Sequence, residues 1–160
     1  MLFRSEGFQI FYTLLDSHGL QAGSLVTLEI DWPRRYKLMR LHFAAELILE
    51  LVTRALPVEK IGAHIAEDKA RIDFLASQNV ATLFPTLLSQ YNEIIEKNYL
   101  IKTGFSDEAN QRRYWEIEGF SKVACGGTHV KSTAEVGQIT LKRHNVGKGK
   151  ERIEIRLVNP

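Results

Sequence analysis

The sequence has few of the features that mark secreted or membrane proteins. Its 160 residues contain one cysteine, so no intramolecular disulfide can form, which favours a reducing compartment. The first residues are polar and carry Arg4 and Glu6, with no apolar run behind a basic start, so no secretory leader is indicated. The longest apolar stretch, residues 44–56, is broken by charged side chains and is too short to span a bilayer. We therefore expect a cytoplasmic protein with no membrane partner.

The charge of the chain is nearly balanced but unevenly distributed. Hydrophobic residues make up 44% and charged residues 25%, as in an ordinary folded domain with its own core, and the net charge is +2. Basic residues cluster before the first predicted helix and near the C-terminus. Such clusters are often solvated faces, but beside a hydrolytic site they become candidates for contacts with nucleic-acid phosphates. The residues that we select for this role are Arg35, Lys142, Arg143 and Lys150.

Hydrophobic periodicity predicts two long helices and several short strands. Apolar residues recur at helical spacing from Arg35 to about Ala55 and from about Thr82 to Asn98. The order of elements indicates an α+β fold, with a mostly antiparallel sheet packed against the two helices and a short N-terminal β segment. The predicted strands are residues 8–15, 24–31, 61–65, 71–75, 99–105, 114–117, 138–143 and 152–158.

The lone cysteine lies in an unusual run, in which Cys125 is followed by Gly126, Gly127, a threonine and His129. A lone cysteine is more often a small buried apolar residue than a ligand. The two glycines, however, let the backbone turn sharply and so direct the sulfur and the imidazole at one point. Their amides are also candidates for binding an oxyanion. Taken by itself, the segment remains open to a second interpretation, a glycine turn between two strands.

A second pair, His42 and Glu46, lies one turn apart on the first predicted helix, so the two side chains project from the same face. Such a pair is usually an ordinary intrahelical contact. Here His42 lies between core positions, so we expect at least one of the side chains to point inward, where a carboxylate needs a partner. Together with Cys125 and His129, the pair supplies a thiolate, two imidazoles and a carboxylate, a complete ligand set for one zinc ion.

These segments resemble the editing domain of alanyl-tRNA synthetase and its freestanding AlaX-type relatives, a domain family that also occurs in threonyl-tRNA synthetase. One segment (35–49) looks like the family's first metal helix, two (125–130 and 133–137) look like its second metal motif, and two (70–74 and 148–156) look like its early and closing strands. The Gly-Gly-Thr-His form of the second motif favours the alanyl branch over the threonyl branch. The resembling segments are residues 35–49, 70–74, 125–130, 133–137 and 148–156.

The resemblance implies that each chain binds one zinc ion and catalyses a hydrolytic reaction. The reaction is hydrolysis of the ester that joins a wrong amino acid, usually serine or glycine, to alanine tRNA. It further implies that residues 1–33 are the remnant of an N-terminal barrel and that residues 34–160 form the metal-dependent editing domain. The partner would be the acceptor end of the tRNA, bound through phosphate contacts.

Two positions depart from the family's first motif, His-x-x-x-His with a threonine directly after the first histidine. Glu46 stands where the second histidine is expected, and glutamate is a legitimate zinc ligand. Phe43 stands where the threonine is expected, whose hydroxyl is thought to help recognise serine. We therefore assign Phe43 to the substrate pocket and leave the removed amino acid open.

Two mechanisms are open for the predicted site. In the first, all four residues bind zinc, and the metal holds the two motifs together beside an activated water. In the second, Glu46 leaves the coordination shell and serves as general base to that water. We favour four ligands, because the helical spacing of the family's two histidines is unchanged. In either case the catalytic candidates include the segment Gly126, Gly127 and Thr128, in which the amides near Gly126 and Gly127 would stabilise an oxyanion.

Three functional classes follow from these observations. The leading one is a trans-editing hydrolase of misacylated tRNA. The second is a non-catalytic relative that binds tRNA or a synthetase and has lost editing through the changes at Phe43 and Glu46. The third is a zinc hydrolase of another aminoacyl ester or small molecule.

Overall fold

The computed structural model divides the chain into two units, Met1–Ile30 and Asp31–Pro160. The first unit contains a hairpin of two antiparallel strands, β1 and β2, in which Leu2 lies opposite Thr13. The second unit contains two helices and two antiparallel sheets. The structure describes residues 2–6, 9–14, 17–147 and 149–158, and the side chains from residue 11 onward within these ranges.

The elements of the chain are as follows. The strands are β1 (Leu2–Glu6), β2 (Gln9–Thr13), β3 (Glu59–Ile65), β4 (Ala70–Leu75), β5 (Lys102–Asp107), β6 (Arg112–Ile117), β7 (Ser121–Ala124), β8 (Ile139–Gly147) and β9 (Lys150–Leu157). The helices are α1 (Trp32–Ala55) and α2 (Phe84–Lys97), with short 3-10 turns at Val80–Leu83 and Thr133–Glu135.

Helix α1 is the centre of the second unit. It begins three residues before the predicted start, because Asp31 caps it by accepting a hydrogen bond from the Arg34 amide and Pro33 is tolerated in the first turn. It ends before Pro57, since a proline disfavours helical dihedrals at the residue that precedes it. Its apolar side chains are buried along most of its length. The buried residues are Leu41, Phe43, Ala44, Ala45, Leu47, Ile48, Leu51 and Val52.

A four-stranded antiparallel sheet, in the order β3-β4-β9-β8, packs against α1. Strands β4 and β9 are its centre, and their inward side chains, including Phe74 and Ile155, are fully buried. Helix α2 lies beside α1 and is fixed by Tyr91, whose hydroxyl donates to the Gly137 carbonyl at 2.9 Å. The core of the unit therefore lies between α1, α2 and this sheet.

A second sheet, in the order β5-β6-β7, is also antiparallel. Strand β6 is its centre, and its inward residues Trp115 and Ile117 are fully buried. The backbone continues the β6–β7 ladder past its end, because the Cys125 amide donates to the Arg113 carbonyl at 2.9 Å. This sheet therefore sets the position of the cysteine motif.

The predicted α+β class, with antiparallel strands packed against two long helices, is confirmed. The antiparallel strands divide into separate sheets, and β1 and β7 were not predicted. The strand predicted over residues 24–31 is wrong, since the structure has no strand there. Its apolar residues Val26, Leu28 and Ile30 are exposed, because alternation makes a strand only where a neighbouring strand accepts its hydrogen bonds. Among the described residues, no helix is long and apolar enough to cross a membrane.

Candidate metal centre

The structure brings the two predicted motifs to one point. His42 and Glu46 project from α1 towards the segment after β7, where Cys125 begins the glycine-containing run. The nearest ligand atoms of His42, Cys125 and His129 all lie within 4.8 Å of one another, and all three residues are half-buried. Glu46 lies beside this group rather than within it. The residues converge although the two motifs are far apart in sequence.

The distances among three of the predicted ligands match those around a tetrahedral metal ion. His42 Nε2 lies 3.6 Å from Cys125 Sγ and 3.4 Å from Glu46 Oε1, and Sγ lies 3.9 Å from the same oxygen. With ordinary zinc bond lengths and tetrahedral angles, the corresponding separations are about 3.6, about 3.4 and about 3.6 Å. The donor set of sulfur, imidazole and carboxylate is one that zinc accepts.

His129 supplies an independent observation. Both of its ring nitrogens are buried, and neither forms a hydrogen bond with any residue in the described part of the chain. The ring stacks on His42, with centroids 5.1 Å apart. A buried imidazole without a hydrogen-bonding partner is unfavourable unless something else binds its nitrogen. A metal ion shared with Cys125 and His42 would satisfy it, so the residues present fit a bound metal.

Gly127 is required by close packing rather than by an unusual backbone conformation. A β-carbon at this position would lie 2.8 Å from Nδ1 of His42 and closer still to Cε1. A β-carbon at Gly126 would meet nothing within 4 Å. The backbone bends at Gly127, but neither glycine has a positive φ, so the bend does not use the left-handed conformation that favours glycine. The segment needs glycine at 127 because the imidazole passes directly over the backbone.

The electrostatics of the group favour a cation at its centre. The pKa of the Cys125 thiol is lowered to about 6, first by His129, whose ring lies close to the sulfur without the geometry of a hydrogen bond, and then by His42 and the Gly127 amide. Hydrogen bonding to the Cys125 sulfur and then to Glu46 raises the pKa of His42 to about 10. Burial opposes ionisation of Glu46, but the hydrogen bonds from His42 and Trp115 outweigh it and leave its pKa lowered. A thiolate and a carboxylate thus face one point, where either a proton or a metal ion supplies the positive charge.

The backbone amides of the glycine segment are divided between two roles. The Gly127 amide helps to lower the pKa of the Cys125 thiol. No residue among those described accepts a hydrogen bond from the amides of Gly126 or Thr128, and both residues are exposed. These two amides are therefore free to bind an oxygen of a ligand.

Phe43 lies behind the site rather than on its surface. Its side chain is fully buried, and its ring meets those of Trp115 and His129 edge-on, with centroids 5.1 and 5.6 Å away. A fully buried ring has no surface to offer a substrate directly. In this arrangement, Phe43 supports the imidazole of His129.

Trp115 was missed by sequence reasoning. It is fully buried on β6, and its indole Nε1 donates to Glu46 Oε2 at 3.0 Å. Alternation along β6 could have placed the tryptophan inward. Its acceptor, 69 positions away on α1, depends on how the sheet packs against the helix, which no local pattern records.

The four basic residues selected for tRNA lie in different surroundings. Arg35 is exposed, forms no ion pair among the described residues, and lies two turns before His42 on the same face of α1, about 10 Å along the axis. Lys142 on β8 and Lys150 on β9 are exposed and likewise unpaired among the residues described. The Arg143 guanidinium donates to buried Glu151, with Nη2 at 2.5 Å from Oε1, so its charge is already balanced.

Alanyl-tRNA editing proteins and alanine–tRNA ligases are among the known proteins to which the chain is similar. Residues 113–154 match the family described as the threonyl and alanyl tRNA synthetase second additional domain. The alanyl-tRNA editing protein AlaX-M of Pyrococcus horikoshii is 30% identical, over 98% of this chain and 73% of its own length. That of Saccharolobus solfataricus is 35% identical, over 94% of this chain and 71% of its own. An alanine–tRNA ligase of Methanococcus maripaludis is 29% identical over 91% of this chain but only 19% of the ligase. The chain therefore belongs to the family of AlaX-M-type alanyl-tRNA editing proteins.

Proposed function

We propose that this protein hydrolyses the ester that joins a wrong amino acid to tRNA, at a zinc ion held by His42, Cys125, His129 and Glu46. One observation carries the proposal: the ligand atoms of His42, Cys125 and His129 lie within 4.8 Å of one another, and Glu46 Oε1 lies beside them, 3.4 Å from His42 Nε2. Membership of a family whose relatives are named alanyl-tRNA editing proteins makes alanine tRNA the proposed partner. Serine or glycine is the proposed amino acid to be removed.

The residues of this chain divide the chemistry between them. A bound zinc ion would supply Lewis-acid polarisation at the site. The free amides of Gly126 and Thr128 would donate hydrogen bonds to the oxygen that becomes negative as water adds to the ester carbonyl. The acyl–oxygen bond would then break, and the ribose oxygen would leave as a hydroxyl that carries the proton released by the attacking water. Glu46 Oε1 faces the group at 3.4 Å from His42 Nε2, close enough either to bind the metal or to take the proton from the attacking water.

The substrate's nucleic-acid part would approach along α1. Arg35 shares the face of His42 and keeps its charge unpaired among the described residues, so it is the first candidate for a phosphate near the acceptor end. Lys142 and Lys150 are further candidates because their charges are also exposed and unpaired among those residues. Arg143 is the weakest of the four, because Glu151 already holds its guanidinium.

The test is a deacylation assay with the purified protein and alanine tRNA charged with serine, glycine or alanine. We expect serine or glycine to be released much faster than alanine, with about one zinc per chain by metal analysis. Failure to hydrolyse any of the three, in a sample with zinc present, would overturn the enzymatic proposal. Release of all three at equal rates would keep the hydrolase but reject its selectivity.

A second candidate function is favoured by the burial of Phe43. The position where the family's first motif carries a hydroxyl holds a ring with no exposed surface, so the site presents no hydroxyl there to a serine side chain. On this alternative the protein binds aminoacylated tRNA without cleaving it. Filter binding of serine-charged tRNA that remains intact for the length of the assay would support this alternative over the first.

A further inference from the structure

The two oxygens of Glu46 have different partners. Oε2 accepts a hydrogen bond from the Trp115 indole at 3.0 Å. Oε1 faces the candidate metal group, 3.4 Å from His42 Nε2 and 3.9 Å from Cys125 Sγ. The carboxylate is mostly buried, with 17% of the side chain exposed, so water cannot freely replace either contact. One oxygen is thus held from behind while the other is directed at the site.

Trp115 is well suited to hold a carboxylate in one orientation. Its indole nitrogen only donates, and the ring is fully buried, so its direction is fixed by packing. The β6 register sets this packing, because Trp115 lies opposite Thr103 on one side and Val123 on the other. Its ring also meets Phe43 edge-on at 5.1 Å.

The same strand that carries Trp115 also fixes the sulfur. The amide of Cys125 donates to the carbonyl of Arg113, two residues before Trp115 on β6. Strand β6 therefore sets two of the groups that converge: the sulfur through a backbone hydrogen bond, and the carboxylate oxygen of Glu46 through an indole. Movement of this strand would shift both together relative to His42 on α1.

An ordinary explanation exists for the hydrogen bond taken alone. A buried tryptophan usually finds an acceptor for its N–H, and any oxygen serves. Here the acceptor is a carboxylate whose other oxygen already lies at the separation expected between two ligands of one metal ion. Outer-shell hydrogen bonds of this kind orient metal ligands, and their loss weakens metal binding by about 10- to 100-fold.

We propose that Trp115 is a positioning residue of the metal centre, which holds Oε2 of Glu46 so that Oε1 is presented to the group formed by His42, Cys125 and His129. The inference rests on the metal site of the proposed function. It does not depend on which ester, if any, is hydrolysed.

The test is a double-mutant cycle read by Co²⁺ affinity, with the thiolate-to-cobalt absorption band as the signal. We expect Trp115→Phe to weaken Co²⁺ binding by about 10- to 100-fold and to shift the visible bands. In a Glu46→Ala background, the same change should alter the affinity by less than about twofold, because Trp115 acts only through that carboxylate. Ile117→Val is the matched control, since it trims a fully buried side chain of the same strand and leaves the indole hydrogen bond in place.

Two results would overturn the inference. The first is that Trp115→Phe leaves the Co²⁺ affinity unchanged. The second is that Trp115→Phe lowers the Co²⁺ affinity equally in the parent and in the Glu46→Ala background, which would indicate a general packing effect. Because this readout needs no tRNA, an inactive protein that shows the coupling would reject the proposed function and keep the inference. An active enzyme that lacks the coupling would keep the proposed function and reject the inference.

A second measurement uses the unmodified protein, in case the phenylalanine variant does not fold. The chain has two tryptophans, and Trp32 is exposed at the start of α1. In a ¹H–¹⁵N spectrum, we expect stoichiometric Zn²⁺ to shift the Trp115 indole resonance and to leave that of Trp32 in place. A Trp115 resonance that does not move on Zn²⁺ binding would contradict the inference.

Discussion

Helix α1 presents two very different faces to its neighbours. The face that meets the four-stranded sheet is apolar, with Leu41, Ile48 and Val52 fully buried. The face that meets β6 and β7 carries polar groups, and each has a specific partner: Glu46 with Trp115, Glu50 with Ser121 at 2.5 Å, and Arg54 with the Phe120 carbonyl and ring. Apolar burial needs shape alone, whereas buried polar groups need partners in fixed places. The apolar face therefore stabilises the fold, and the hydrogen bonds of the polar face hold its side chains, including Glu46 at the candidate metal centre, in fixed positions.

The largest effect should come from removing the sulfur on the polar face. For Cys125→Ala we expect zinc content to fall to background and deacylation to drop by about 1,000-fold. The metal's charge stabilisation is worth several kcal/mol, and each tenfold in rate is about 1.4 kcal/mol. His64→Ala is the control, since that histidine is exposed on β3 and is not one of the three side chains that form the candidate metal group in the described part of the chain. Retained zinc in the cysteine variant would contradict the assignment.

On the apolar face the corresponding change should act on stability alone. Ile48→Ala removes a fully buried side chain, and we expect the free energy of unfolding to fall by about 2–5 kcal/mol. Zinc content and turnover per folded molecule should stay within about twofold of the parent. Urea denaturation and metal analysis measure the two effects, with Ile61→Ala, an exposed isoleucine, as the matched control. Lost zinc in a fully folded Ile48 variant would show that the two faces are not separate.

Glu46→Gln sharpens the chemistry assigned to the polar face. We expect zinc affinity to fall by about 100-fold, because Oε1 lies at ligand separation from His42 Nε2 and an amide oxygen is a weaker ligand. Equilibrium dialysis with zinc and the deacylation assay are run on the same sample. Full zinc with abolished turnover would instead assign Glu46 as the general base.

A methyl group at Gly127 tests how closely the polar face is packed. Gly127→Ala places a β-carbon against the His42 ring, so we expect the imidazole to be displaced and zinc affinity to fall by about tenfold or more. Gly126→Ala is an ideal control, because a β-carbon there meets nothing within 4 Å and φ is not positive. Equal zinc affinity in the two variants would contradict the packing argument.

The smallest expected effect lies at the exposed end of the same helix. Arg35→Ala should weaken tRNA binding by only a few-fold and reduce the slope of log affinity against log salt by about one, as for a single lost phosphate contact. Lys60→Ala, an exposed cation on β3, is the control. Filter binding over a range of salt concentrations measures both quantities. An unchanged slope would remove Arg35 from the tRNA surface.

The difference between the faces also explains what the sequence could predict. The helices and most strands follow from apolar periodicity, which reports the apolar face directly. The pairing of the two motifs was predictable because their residue types are rare and chemically complementary. The Trp115–Glu46 contact and the burial of Phe43 could not be predicted, because both depend on how β6 lies across α1. The prediction for residues 24–31 failed for a different reason: the pattern alternates as in a strand, but no neighbouring strand among the described residues pairs with it.

The span of chain between the two halves of the site has a thermodynamic consequence. Cys125 and His42 lie 83 positions apart, so a metal ion bound by both would act as a cross-link that closes a long loop. A covalent link across such a loop removes about 4.5 kcal/mol of chain entropy from the unfolded state. A reversible metal cross-link contributes in proportion to the logarithm of the free metal concentration over its dissociation constant. The melting temperature of this protein should therefore rise steadily with the free zinc concentration, so its stability would report how much zinc is available.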